Sequence, residues 1–128
     1  MIEIFVLDAS VLLAAVLGEP GHERVFELET PAYVSAVNMA ETRSRLSDKG
    51  LNADEIEQSL DVFNKIVMDF NDSDAVAVAS LRKSTRSAGL SLGDRACLAL
   101  AQRLGATALT ADRTWGTIGI PIQVEVIR

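Results

Sequence analysis

Cysteine and histidine each occur once in this 128-residue chain. A single thiol excludes an intramolecular disulfide and fits a reducing compartment. One cysteine and one histidine also leave no zinc set of the usual nitrogen and sulfur ligands. A Cys–His or Ser–His nucleophile is equally disfavoured. Cys97 falls in an apolar helical pattern, where cysteine behaves as a small hydrophobe, and His22 lies beside Glu23 and Arg24 in a polar, solvated segment. Basic residues are short too: Lys and Arg number 12 against 18 Asp and Glu, a net charge of −6. Taken alone, that balance argues against a nucleic-acid binder, which neutralises phosphates with cations.

Other absences narrow the classes further. No Pro/Ser/Gly-rich linker, block of like charge or fixed-period repeat divides the chain, so residues 1–128 are expected to form one domain. No glycine-rich phosphate loop is present, since "GEPG" lacks the P-loop spacing and its lysine. Asp8 is not followed by a second aspartate two positions on, because position 10 is Ser, so the "DxD" phosphatase pattern fails. The apolar start "MIEIFVLDASVLLAAVLG" has no basic n-region and is interrupted by Glu3 and Asp8. It reads as a buried strand followed by a helix rather than a signal peptide or membrane span. A soluble, cytoplasmic protein without membrane contact is the expectation.

What is present is apolar residues, at 48 % enough for a real core. Ile4 to Leu7 form a short run of strand formers, as a strand buried on both faces requires. A helix then ends near Gly18, and a second, short one has Pro20 near its start. "PAYVS" is a second strand, and Ser35 caps a helix stopped by Gly50. Asn52 and Glu55 have capping-box spacing for a helix to about Lys65, and "IVMDF" is a third strand. "NDSD" starts a helix ended by Gly89, and "SLGDRACLALA" one that reaches about Leu104. "GATALT" is a fourth strand, "ADRTWG" a loop or short helix, and "IPIQVEVI" a last strand. Strands alternating with helices predict an α/β fold with a mostly parallel sheet of four to five strands and helices on both faces. Ligands in such folds bind outside the carboxyl ends of the strands, so the acids there carry the interest.

Four acids qualify, and each has an ordinary explanation when taken singly. Asp8 closes the first strand in "FVLDAS" and can cap the helix after it. Glu41 can pair with Arg45 on a helix surface, although Val37 and Ala40 place it at the edge of the apolar stripe. Asp94 stands three residues after Ser91, a reciprocal capping pattern with Asp in place of Glu. Asp112 follows the fourth strand in "ALTADRTW" and can cap a short helix. Ser10 and Thr110 stand close to Asp8 and Asp112, where a hydroxyl can orient a carboxylate.

In a parallel sheet all four acids can meet at one edge. Two carboxylates about 6 Å apart, at an effective dielectric near 20, repel by roughly 2.8 kcal/mol. A group of four therefore takes up protons or binds a cation. All-oxygen ligation suits Mg2+, with Mn2+ as a substitute, rather than zinc. Two such ions would bring the net charge from −6 to about −2, and a site holding them attracts phosphate.

The segments "FVLDAS", "NMAE", "SLGDRACLALA" and "LTADRTW" resemble the four acidic motifs of PIN-domain nucleases, in particular the VapC-type toxins of prokaryotic toxin–antitoxin pairs. The resemblance covers essentially the whole chain, and its "LGDRACLALA" and "LTAD" motifs are the most specific. It implies a PIN-like three-layer sandwich and a Mg2+-dependent endoribonuclease in which Asp8, Glu41, Asp94 and Asp112 hold the metal. Ser10, Thr110 and Asn38 would be supporting polar groups. RNA would be the substrate, with products carrying a 5′-phosphate and a 3′-hydroxyl. A VapB-like antitoxin would be the partner, and a homodimer the assembly. Arg95 and Arg113 each follow a candidate ligand directly and are the cations best placed to meet an RNA backbone. Two alternatives stay open: a housekeeping RNA-processing nuclease of the same fold, and a non-catalytic binding module whose acids are only caps.

Overall fold

The computed structural model describes residues 2–128. Strands β1 (Phe5–Leu7), β2 (Ala32–Ser35), β3 (Lys65–Met68), β4 (Thr107–Thr110) and β5 (Val124–Val126) form one sheet in the order β3-β2-β1-β4-β5. Every neighbouring pair runs parallel. Between them lie α1 (Ala9–Leu17), α2 (Glu23–Phe26), α3 (Ala36–Asp48), α4 (Ala53–Leu60), α5 (Asp72–Ser80), α6 (Arg82–Thr85) and α7 (Leu92–Leu104). A 3-10 helix, Arg113–Thr117, follows β4.

The sheet divides the core in two, because successive strand residues face opposite sides. Phe5, Leu7 and Leu109 pack with Leu12, Met39, Leu46 and Leu60 on one face. Val6 and Ala108 pack with Val78, Leu98, Leu100 and Trp115 on the other. The expected three-layer α/β architecture is therefore present. The chain steps outward from β1 to β2 to β3, then returns to the far side of β1 with β4. That reversal puts a switch point between the carboxyl ends of β1 and β4, where a parallel sheet opens a crevice. Gly105 makes the return possible: it ends α7 at φ 63°, and Thr107 then opens β4 two residues later.

Three element boundaries differ from the sequence expectation. The helix expected to reach Lys65 ends at Leu60, because Lys65 turns its ammonium onto the Leu60 carbonyl and begins β3 opposite Ala32. The single helix expected before Gly89 is two. It breaks at Leu81, whose carbonyl accepts the Thr85 hydroxyl at 2.7 Å, a side-chain bond that bends helices. The last strand is only three residues long, since it pairs Ala108 to Thr110 with Val124 to Val126 and β4 goes no further.

Candidate metal centre

Asp8 leaves β1 at the switch point and is 3 % exposed. It occupies the N-cap position of α1, yet its side chain makes no capping bond. Its Oδ2 instead accepts the Ser10 hydroxyl at 2.7 Å and the Thr110 hydroxyl at 3.1 Å. Each hydroxyl also accepts a backbone N–H from beyond β4: Ser10 from Ala111 at 3.0 Å and Thr110 from Asp112 at 3.1 Å. A hydroxyl has one proton to give, so both protons go to Asp8 and the carboxylate plane is fixed. The other oxygen, Oδ1, is buried and has no hydrogen-bond partner among the described residues. Burial pushes the Asp8 carboxyl up to about 6; the Ser10 hydroxyl opposes this, and the neighbouring Asp94 and Glu41 charges add to it.

Glu41 comes from α3, whose start is capped by Ser35 accepting from the Val37 N–H at 3.2 Å. Its Oε1 is likewise buried without a partner among the described residues. Burial and the Asp94 charge raise its carboxyl above the usual range, against the lowering influence of Arg45 and of the nearby Asn38 amide. The expected pairing with Arg45 is loose, 3.9 Å to Oε2 with the arginine side chain 62 % exposed, and such a contact contributes little.

Asp94 performs the capping role expected of it. Its N–H donates to Ser91 Oγ at 3.2 Å while its Oδ2 accepts the Ser91 N–H at 2.9 Å, a complete capping box. Asp112 caps the 3-10 helix through Oδ1, which accepts from the Thr114 N–H at 3.0 Å and its hydroxyl at 2.8 Å. Each thus spends one oxygen on a helix and keeps the other. Trp115, fully buried, plugs the 3-10 helix into the core and so holds Asp112 at the rim.

The four acids border one cavity of about 160 Å³, with Ser10, Leu13 and Arg45 also in its wall. A larger cavity, about 520 Å³, opens at the amino ends of the strands beside Phe5 and Thr30. Its Arg24 is already bound to Glu125 at 2.6 Å, so the smaller cavity at the switch point is the candidate site. Among the described residues no three Asp, Glu, His or Cys side chains stand as a ready-made ligand set around one point. An ion that keeps several of its waters, rather than one enclosed by protein ligands, would suit acids so spaced. Two buried carboxylate oxygens without partners, facing two more carboxylates, are what such a cation would satisfy.

Asn38 is fully buried and donates from Nδ2 to the Gly93 carbonyl at 3.0 Å, joining α3 to the first turn of α7. Arg95 is carried away from the cavity: its guanidinium donates to the Val78 carbonyl of α5 at 3.1 Å. Arg113 is exposed and donates to the Arg128 carbonyl at 3.2 Å. Cys97 is buried, and burial pushes its thiol well up, as do the Asp8 and Asp94 charges. It is a core residue beneath the site.

Gly93 is the residue that sequence reasoning passed over. A Cβ there would lie 2.5 Å from Glu41 Oε1. The missing side chain is the seat of that carboxylate. A glycine inside a helix, where alanine is better by about 1 kcal/mol, was the available signal.

The arrangement defines a class: a parallel α/β sandwich with an acidic cavity at its switch point. A model of the PIN domain matches residues 5–120, and the chain belongs to the PIN domain family. No curated protein matches it. Its fold is similar to that of VapBC2 from Rickettsia felis, solved with a promoter DNA fragment: 20 % identity, TM-score 0.75, 96 % of this chain and 98 % of that one covered. It is similar to DNA-bound VapBC from Salmonella typhimurium, at 19 % identity and TM-score 0.76 over 100 % of both chains. VapC20 from Mycobacterium tuberculosis, a Sarcin-Ricin loop cleaving toxin, is 14 % identical with TM-score 0.72, covering 88 % of this chain and 93 % of that one.

Proposed function

We propose that this chain is a Mg2+-dependent endoribonuclease and the toxin of a toxin–antitoxin pair. One observation carries the reading: Asp8 Oδ1 and Glu41 Oε1 are buried and unpartnered among the described residues, in the wall of a cavity completed by Asp94 and Asp112. Helix caps alone account for Asp94 and Asp112 but leave these two acids unexplained. Asp8, Glu41, Asp94 and Asp112 would hold the metal, Mg2+ or Mn2+ by the all-oxygen donor set. When bound, such an ion lowers the pKa of water and offsets charge on a scissile phosphate.

The protein's own groups have separate tasks. Ser10 and Thr110 lock the Asp8 carboxylate in one plane. Asn38 and Gly93 bring α3 against α7, so that Glu41 and Asp94 face the same space. The toxin assignment is supported by the likeness to chains of toxin–antitoxin complexes. Exposed Phe26 and Val62, and Ile66 and Val67 on the edge strand β3, are apolar surface of the kind that an antitoxin or a second copy covers. No helix among the described residues is long and apolar enough to cross a membrane; a cytoplasmic location belongs to the proposal.

The test is RNA cleavage by wild type, Asp8→Asn and Asp94→Asn, with thermal stability followed as Mn2+ is added. The expected result is Mg2+-dependent cleavage in wild type alone, with both variants folded. Wild type should also gain thermal stability with millimolar Mn2+, by mass action on the native state. Full Mg2+-dependent activity in either variant would overturn the four-acid site, and a wild type indifferent to Mn2+ would favour a non-catalytic module.

A further inference from the structure

The acidic cavity does not end at its own wall. A second cavity of about 270 Å³ adjoins it, and Ser10, Leu13 and Arg45 line both. The sign of charge reverses across that shared wall. The first cavity is bordered by four carboxylates with Arg45 as its cation, whereas the second has Arg45, Lys49 and Arg128 against Glu19. This is a concentration of positive charge on a chain of net charge −6. Arg24 is spent on Glu125, Arg43 on Glu57, Arg103 on Asp74, and Arg95 on the Val78 carbonyl, while Arg82, Lys83 and Arg86 border neither cavity. Lys49, by contrast, has no ion pair or hydrogen bond from its side chain among the described residues. It lies four positions after Arg45 at the end of α3, on the same helix face. Arg128 is held in place by donating to the Pro20 carbonyl at 3.2 Å.

We propose that this second cavity is the seat of the RNA backbone flanking the scissile phosphate, with Lys49 and Arg128 as the phosphate-binding residues. The inference rests on the ribonuclease reading. Its chemistry is that of a phosphodiester track: cations hold the phosphates, and Leu13 and Leu17 give an apolar floor for a ribose or base. The shared wall then delivers the next phosphate to the carboxylates. Arg45 stands at the junction. A metal-loaded centre attracts the reacting phosphate, but the bare acids repel the rest of the strand, so neighbouring cations are needed to hold it. The path therefore runs from Arg128 and Lys49 past Arg45, rather than through Arg95.

The test uses the full chain carrying Asp94→Asn to stop cleavage and a short fluorescent single-stranded RNA, titrated at several salt concentrations. Lys49→Gln with Arg128→Gln should weaken binding about tenfold near 150 mM salt and lower the slope of log K against log salt by about 0.7 per lost contact. Lys83→Gln with Arg86→Gln, on the α6 side, should change neither. In the cleaving enzyme, Lys49→Gln with Arg128→Gln should raise KM while Mn2+ affinity stays as in wild type. An unchanged affinity and salt slope would overturn the track while leaving the metal centre standing. A parent that binds no RNA at all would overturn the ribonuclease reading and the track together. A double variant that binds RNA normally but fails to bind a neutralising protein would overturn the track and assign the cavity to that protein.

Discussion

The inner and outer halves of the acidic cavity are built on opposite principles. On the inner side, Asp8 is 3 % exposed, makes no helix cap, and has one oxygen clamped by two hydroxyls while the other meets nothing. On the outer side, Asp94 completes the capping box of Ser91 and Asp112 caps its 3-10 helix, each with one oxygen bonded to a backbone N–H at a helix start. The outer acids stabilise local structure whether or not a cation is present. The inner acid destabilises the metal-free fold, because a buried charge without a counter-charge is costly. The proposed cation would offset that cost.

The largest expected effect breaks this contrast at Asp8. The folded-state pKa, about 6, stands above the ordinary 3.8. The folded state therefore holds the extra proton between those values, and metal-free stability falls as pH rises through that window. The penalty is fully present above about pH 6 and absent below about 3.8; at 1.36 kcal/mol per unit it amounts to about 3 kcal/mol. Asp8→Asn should thus raise metal-free stability at pH 8 by about 2 kcal/mol and abolish stabilisation by Mn2+. Calorimetric melting at pH 5 and 8, with and without Mn2+, checks both; lower metal-free stability of the variant at pH 8 would contradict the account.

Thr110→Val comes next. It removes a charge-assisted bond to Asp8 and the acceptor of the Asp112 N–H. A loss of about 2 kcal/mol is expected at pH 8 and a smaller one at pH 4, where Asp8 is neutral. Equal losses at both would mean that only packing was disturbed.

Gly93→Ala separates metal binding from folding. The displaced group is the end of a flexible side chain, and alanine favours the helix by up to about 1 kcal/mol. Metal-free stability should hold or rise while Mn2+ affinity drops about tenfold, as when a ligand's support is lost. In a Glu41→Asp background, where the carboxylate is one methylene shorter, the same substitution should cost little further affinity. The smallest effect belongs to the outer half. Asp112→Ala should cost about 1 kcal/mol of stability, whereas Asp112→Asn should keep the cap and lose only metal affinity.

Much of this was readable before the fold was known. The alternation of strand and helix patterns specified the parallel sheet, because hydrophobic period and capping chemistry are local. Ser35, Asn52 and Ser91 all cap where their spacing indicated. The break at Leu81 and the early end at Leu60 were not legible. Both depend on side chains reaching back to carbonyls, Thr85 in one case and Lys65 in the other.

The site divides in the same way. That Asp8, Glu41, Asp94 and Asp112 are the acids to compare followed from their positions after strands and in helix starts. Sequence alone determined the parallel α/β class, the caps at Asp94 and Asp112, and the absence of a sulfur–nitrogen metal set. Tertiary structure decided that Asp8 is a clamped acid rather than a cap and that Arg95 turns away to Val78. It also decided that Gly93 is the seat of Glu41, and that Lys49 and Arg128 lie along a neighbouring wall. The physical reason is range. Capping and periodicity act within a turn or two of chain, whereas the burial of one oxygen, or the approach of residue 93 to residue 41, exists only once distant segments have packed.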